Sequence, residues 1–198
     1  MMQNEAAAAR EKWEQRYAAD EYEPLRDPSD FLTRSVAQLS PGRALCLAAG
    51  GGRNAVWLAQ AGWQVTAVDI SPRGLAWCQQ LATEHGVQIE TVVADLSKHE
   101  LGSQAWDLIT MIFYYDPDLF PAIRQALVPG GHFLFHTFSR GQLKKNWGPS
   151  SATHLARAED LREAFDDWDW PRYSDDDFLR PDGREESSLR LLATRPAD

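Results

Sequence analysis

The chain is 198 residues long and carries a formal charge of −9, with 20 basic side chains against 29 acidic ones. That length suits one domain with a full hydrophobic core, and 43% apolar with 25% charged residues is the balance of an ordered globular protein, which excludes disorder as the main state. No stretch near 20 residues is free of charge, so no membrane-spanning helix is expected.

The first residues lack the basic n-region and apolar core of a signal peptide. Cys46 and Cys78 are too few for a disulfide framework and are expected to be small buried hydrophobes in a reducing, cytoplasmic setting. Between Glu159 and Glu186 there are 12 acidic and 4 basic residues, a stretch that repels a phosphate backbone. A small-molecule partner is therefore expected, and neither nucleic acid nor a membrane. The one basic cluster, Arg140, Lys144 and Lys145, suits a solvated loop or the docking of a small anion.

In chain order, residues 5–19 read as a helix with Trp13, Arg16 and Tyr17 on adjoining faces. Residues 22–30 hold Pro24 and Pro28 and read as a loop. Asp30 is placed to N-cap a helix over 31–39 that Ser40-Pro41-Gly42 stops. Residues 44–48 form an apolar strand followed by a glycine-rich turn and a helix over 54–61. A strand over 63–68 closes on Asp69, and Ser71 caps a helix running to about residue 85 that Gly86 ends. Further strands are expected over 87–94, closing on Asp95, and over 106–113, leading into Tyr114 and Tyr115. A helix to Leu127, a Pro129-Gly130-Gly131 turn and a strand over 132–138 follow. Residues 157–165 read as a helix, and 168–173 and 187–194 as a hairpin joined by a polar loop.

Continuously apolar strands alternating with helices belong in a parallel sheet covered on both faces. The pattern implies a doubly wound, Rossmann-like α/β fold with a mostly parallel seven-stranded sheet and an antiparallel C-terminal edge hairpin. One domain over 1–198 is expected: a helical extension or lid over 1–40, a core over 41–138, and a substrate-side loop, helix and hairpin over 139–198.

Ligands of such folds bind beyond the carboxyl ends of the strands. The first strand ends in Ala48-Ala49-Gly50-Gly51-Gly52-Arg53-Asn54, where glycines admit close backbone approach and a helix N-terminus presents free N–H groups. The second ends in Asp69, 17 residues after Gly52, placed to accept both hydroxyls of a ribose. The third ends in Asp95, placed to accept from an amino group on a base. Singly, these features are a tight turn and two cap-like residues. Gly50-x-Gly52-x-x-Ala55 with Asp69 also fits the fingerprint of a dinucleotide site, which leaves an NAD-dependent oxidoreductase as an alternative.

The run from Ala44 to Ala55, with Val65-Thr66-Ala67-Val68-Asp69-Ile70-Ser71, resembles the first two motifs of class I S-adenosylmethionine-dependent methyltransferases. Val92-Val93-Ala94-Asp95-Leu96 resembles their adenine-contacting segment, Trp106-Asp107-Leu108-Ile109 their fourth strand, and Leu127 to Gly131 the turn before the fifth. Gly52-Arg53-Asn54, and Asp167-Trp168-Asp169 followed by Tyr173, look most like the small bacterial tellurite-resistance and thiopurine-methyltransferase-like group.

The resemblance implies an enzyme with S-adenosyl-L-methionine as cofactor. It implies that the backbone of Ala48, Ala49, Gly50 and Gly52 holds the methionine end, with Asn54 in the same cofactor-binding set. Asp69 takes the ribose hydroxyls with Ile70 on the adenine, Asp95 takes the adenine amino group with Leu96 beside it, and Phe113 lines the methyl side. Two positions depart from the family pattern: Cys46 replaces an acid, and Ala48 replaces a glycine, which binding tolerates if φ there is negative. These departures keep open a cofactor-binding module of the same fold without catalysis.

Tyr114 and Tyr115 are the catalytic candidates, with Asp116 and His136 in the same region. The segment 139–154, with Trp147 and His154, is expected to cover the acceptor site. The acceptor classes are a thiol, a chalcogen oxyanion, or an aromatic or amine group. The five histidines are scattered and neither cysteine has a partner at ligand spacing, so no metal site is expected.

Overall fold

The computed structural model describes residues 2–19, 24–180 and 182–197. Tyr22 and Pro181, which the sequence places in loops, lie outside them. The chain divides between Leu101 and Gly102 into two compact units, so the break falls inside the core segment expected over 41–138.

The first unit holds α1 (Met2–Ala18), α2 (Asp30–Val36), β1 (Arg43–Leu47), α3 (Arg53–Gln60), β2 (Gln64–Asp69), α4 (Pro72–Glu84) and β3 (Glu90–Val93). Its strands run parallel in the order β3-β2-β1. Residues 44–47 of β1 are buried without alternation, as a strand covered on both faces must be. The helix after β2 starts as expected: Ser71 Oγ accepts the N–H of Gly74 at 3.0 Å, Pro72 opens the helix, and Gly86 ends it at φ +67°.

Two expectations in this unit shift. The cap of α2 is Ser29 rather than Asp30, because the Ser29 N–H is drawn to Asn54 Oδ1 at 2.9 Å and Asp30 is already helical. The third strand is half the expected length. Val87 and Ile89 leave the ladder to pack on Val56, Leu81 and Ala82.

The second unit holds β4 (Trp106–Ile112), a 3-10 turn (Pro117–Leu119), α5 (Phe120–Ala126), β5 (Leu127–Phe138), 3-10 turns at Arg140–Lys144 and Ala152–His154, α6 (Ala158–Phe165), β6 (Asp169–Leu179) and β7 (Glu185–Thr194). Here the strand order is β4-β5-β7-β6, with β5 parallel to β4 and antiparallel to β7, and β6 antiparallel to β7. The fold is thus doubly wound α/β, its seven-stranded sheet mostly parallel with an antiparallel C-terminal hairpin at the edge. Phe120, Phe133 and Phe165 form the buried aromatic centre, with Phe133 and Phe120 each about one ring contact from Phe165, at 5.2 and 5.3 Å.

Pro129-Gly130-Gly131 is not a turn before β5 but a bulge within it. The pairing steps from Trp106↔Leu127 to Leu108↔His132, and the displaced backbone is satisfied by Arg195, whose carbonyl accepts from Gly130 at 3.0 Å. β6 also runs past Tyr173 to Leu179. The acidic run 175–177 is a poor strand former, yet the ladder offered by β7 overrides that preference.

Candidate functional site

In the first unit the loop after β1 alternates into the left-handed region at Ala48 (φ +51°), Gly50 (+54°) and Gly52 (+81°). The negative φ set as the condition for Ala48 is therefore not met. Closure between β1 and α3, with the Ala49 N–H on the Val68 carbonyl at 3.0 Å and the Gly52 N–H on the Ala49 carbonyl at 3.0 Å, imposes a glycine-like conformation on alanine. Gly52 could carry no side chain: a Cβ there would stand 2.3 Å from Cys78 Sγ. Cys46 and Cys78 are both buried thiols outside any disulfide, and burial pushes the Cys78 thiol up to about 11.

Asp69 closes β2 with its side chain buried. Oδ2 accepts from the Gly50 N–H and Oδ1 from the Ser71 N–H, each at 2.8 Å, so one carboxylate ties the glycine loop to the start of α4. Burial outweighs these bonds and raises its pKa above the usual carboxylate value. The Ile70 N–H is a third backbone donor, so of the roughly four acceptor sites of a carboxylate about one stays open to a further donor. Ile70 is half-buried beside it.

Asp95 uses Oδ1 to accept from the Ser97 N–H (3.1 Å) and hydroxyl (2.7 Å). Its Oδ2 is buried, with Lys98 Nζ as ion partner at 3.2 Å. The Ser97 hydroxyl chiefly, with Lys98, holds the carboxyl low, so it is an ionised acceptor at neutral pH. Leu96 is buried next to it. Asn54 sits at the start of α3, where its carboxamide is engaged with the Ser29 backbone.

Two residues of α1 belong to this site, and the sequence pattern did not point to them. Tyr17 lies over the loop: a Cβ on Gly50 would meet its hydroxyl at 2.5 Å, and one on Gly74 its ring at 3.0 Å. Glu14 accepts the Ser71 hydroxyl and the Arg73 N–H (3.1 Å) and pairs with Arg73 Nε at 3.3 Å. The placement of Trp13, Arg16 and Tyr17 on adjoining helix faces was the available signal, and it names no partner.

In the second unit, Phe113 follows β4 at φ +55°, its N–H on the His136 carbonyl at 2.7 Å and its ring 4.8 Å from the His136 imidazole and 5.2 Å from Phe138. The two candidate tyrosines diverge. Tyr114 Oη stands 3.5 Å from Asp116 Oδ2. Tyr115 donates its hydroxyl to Asp160, which Arg157 also engages, and burial together with the Asp160 charge pushes the phenol up to about 12. A phenol that donates to a carboxylate is a poor proton acceptor at neutral pH.

His136 is buried, with Nε2 3.4 Å from Glu186 Oε1. Trp147 packs edge-on against Phe138 at 5.7 Å and lies under Arg184 at 4.2 Å, its indole N–H on the Glu185 carbonyl at 2.9 Å; His154 is exposed. Among the described residues no cluster of three His, Cys, Asp or Glu side chains could hold a metal, and no helix is long and apolar enough to cross a membrane.

Residues 44–131 match the family described as "Methyltransferase domain". The ubiquinone biosynthesis O-methyltransferase of Yersinia pestis (strain Pestoides F) is 30% identical over 137 residues, which covers 64% of this chain and 56% of that protein. The chain thus spans little more than half the length of the curated relatives it matches. Among solved structures, TehB from Haemophilus influenzae superposes with a TM-score of 0.72 at 16% identity, covering 94% of this chain and 66% of that one. The N-methyltransferase NodS from Bradyrhizobium japonicum WM9, solved with S-adenosyl-L-homocysteine, gives 0.71 at 18% identity over 94% and 98% of the two chains.

Proposed function

We propose that the protein is an enzyme that transfers a methyl group from S-adenosyl-L-methionine to a small-molecule acceptor. The observation that carries this reading is the set of groups at the ends of three successive parallel strands. They are a loop with three successive glycines, a buried carboxylate with acceptor capacity to spare at Asp69, and a buried carboxylate oxygen at Asp95 whose partner is the Lys98 ammonium. The Lys98 ammonium is one donor to that oxygen at 3.2 Å; a carboxylate oxygen accepts more than one hydrogen bond, and an exocyclic amino group is a suitable second donor. The match of residues 44–131 to a methyltransferase domain supports the same reading.

When bound, the cofactor supplies an electrophilic methyl group on a sulfonium. The backbone of Ala48, Ala49, Gly50 and Gly52 would hold its methionine end. Asp69, with Ile70 alongside, would take the ribose hydroxyls, and Asp95, with Leu96, the adenine. In-line displacement needs alignment more than a covalent group on the protein, and orientation alone contributes on the order of 7–11 kcal/mol. In the second unit Phe113, packed on His136 and Phe138, would supply an aromatic surface suited to a cation. Where the acceptor must lose a proton, Tyr114 with Asp116 is the better placed of the two tyrosines, since the Tyr115 proton is committed to Asp160.

Calorimetric titration with S-adenosyl-L-methionine and, separately, with NAD tests this. Binding of the first in the micromolar to submillimolar range, about where KM values lie, is expected. Binding of NAD alone would replace the reading with an oxidoreductase. Release of S-adenosyl-L-homocysteine in the presence of thiol, chalcogen oxyanion, hydroxyl or amine acceptors separates an enzyme from a binding module. It also tests the finer placement in the tellurite-resistance and thiopurine-methyltransferase-like group.

A further inference from the structure

The basic cluster of the sequence resolves into two different things. Lys145 is consumed by Asp177 and Glu185, at 2.7 and 3.0 Å. Arg140 is exposed and, among the described residues, makes no hydrogen bond or ion pair. Its backbone, in contrast, is firmly held. Ser139 donates its N–H to the Ser187 carbonyl at 2.9 Å, and Gly141 is pressed so close to Ser187 that a Cβ would meet its side chain at 2.8 Å. The buried Gln142 clamps the turn from both sides, donating to the Trp147 carbonyl (2.8 Å) and accepting from the Ser187 N–H (2.9 Å).

A parallel bridge joins Ser139 to Ala156, so the residues that follow each, Arg140 and Arg157, leave the bridge side by side. Arg157 is oriented by Asp160, which accepts from its Nε at 3.0 Å and from its Nη2, while the Tyr115 hydroxyl donates to the same carboxylate. The Arg157 bonds chiefly hold the Asp160 carboxyl low, and the Arg140 charge adds to this, which places Arg140 within electrostatic reach of the group.

Two guanidinium groups against one carboxylate leave a single uncompensated positive charge, on a chain whose net charge is −9. Like charges set side by side repel, and nothing in the fold of this segment requires Arg140 to be charged. The Arg157 fork is taken by Asp160, so the planar donors that remain are those of Arg140, and a monoanion with planar, paired oxygens is what they recognise.

We propose that Arg140, with Arg157 beside it, is an anion subsite that selects a methyl acceptor bearing a carboxylate. The inference rests on the methyl-transfer reading for the word acceptor, but the subsite itself is tested without turnover. Tyr115 and Asp160 are positioning residues that hold Arg157, and Gln142 positions the turn that carries Arg140.

Benzoate and benzamide, alike in shape and different in charge, are titrated into the full chain by ligand-observed NMR. One new charge-assisted hydrogen bond predicts that benzoate binds about tenfold more tightly than benzamide. Arg140→Gln brings the two affinities to within about twofold, Arg140→Lys keeps part of the preference, and Lys144→Gln keeps all of it. Because Arg140 is exposed, the variants should melt as the wild type does, and a melting curve run alongside verifies this. Equal affinities in the wild type, no binding of either compound, a preference that survives Arg140→Gln, or one that Lys144→Gln abolishes would each overturn the subsite. Titration of the same samples with S-adenosyl-L-methionine keeps the two ideas apart. If the benzoate preference is present and the cofactor does not bind, the methyl-transfer reading fails and the anion subsite stands.

Discussion

Asp69 Oδ2 accepts the backbone N–H of Gly50 at 2.8 Å, across 19 residues of chain. The residue expected to receive a ribose thus also shapes the loop expected to receive the methionine end. Asp69→Asn keeps the size but loses the charge and turns an N–H toward backbone donors. Each charged hydrogen bond is worth about 1.5–3 kcal/mol, so the cofactor Kd should rise by tenfold or more in calorimetry. A folded variant with an unchanged Kd would remove Asp69 from both roles.

The raised pKa of Asp69 has opposite consequences for binding and for stability. As pH falls through the raised value, the carboxylate takes a proton and cofactor affinity should drop. Between the ordinary value of 3.8 and the raised one, the folded chain binds more protons than the unfolded chain, so this group's contribution to stability is present below 3.8 and declines as pH rises through the window. Titrations and urea melts on the wild type and Asp69→Asn across the mildly acidic range should therefore move in opposite senses.

Gly52→Ala should destabilise the chain by more than about 2 kcal/mol, since a left-handed alanine alone costs about 1–2 kcal/mol. A new Cβ would also stand 2.3 Å from Cys78 Sγ and 2.8 Å from Cys78 Cα. Adding Cys78→Ala should recover only part of the loss, because the backbone contact persists. The urea midpoints of the two single variants and the double variant give the coupling, and full recovery would show that the sulfur alone constrains the loop.

Tyr115→Phe should cost about 1–3 kcal/mol by leaving Asp160 short of a donor and should raise KM for a carboxylate-bearing acceptor, while kcat at saturating acceptor and neutral pH stays near wild type. The phenol's proton is retained more strongly in the folded chain, at about 12 against an ordinary 10.0. Its contribution is therefore complete below pH 10.0 and disappears as pH approaches 12, an alkaline limb that the phenylalanine variant should lack. A large fall in turnover with unchanged stability would make Tyr115 catalytic after all.

Glu186 is 3% exposed, yet it meets Arg180 Nη1 at 2.7 Å, the Ser188 hydroxyl at 3.0 Å, Arg190 at 3.3 Å and His136 at 3.4 Å. Burial pushes its carboxyl up, but His136, Arg180 and Ser188 together win and hold it at about 2. Its contribution is present above pH 4.5 and lost as pH falls toward 2. Removing one partner of a buried ionic cluster typically costs about 3–5 kcal/mol, so Glu186→Gln should show a loss of that order in urea at pH 7 and a flattened acid limb.

The sequence by itself determined the order of elements, the parallel character of the sheet and the edge hairpin, and it located Asp69 and Asp95 at strand ends. These follow from local causes. Unalternating apolar runs signal burial on both faces, and Ser71-Pro72 and Gly86 mark where a helix starts and stops through groups only a few residues apart. The tertiary structure decided everything that depends on what a buried face meets. Ala48 takes a left-handed φ because the Val68 carbonyl captures the next N–H. The Pro129-Gly130-Gly131 bulge lies inside β5 because Arg195 satisfies its backbone.

The same holds for the side chains. Tyr17 covers Gly50, Tyr115 is tied to Asp160, and Arg140 is set beside Arg157 by a bridge between Ser139 and Ala156. Periodicity reports which side chains leave water, but not the partner, tens of residues away, that receives them. Those partners decide which tyrosine keeps its proton and which arginine keeps its charge free.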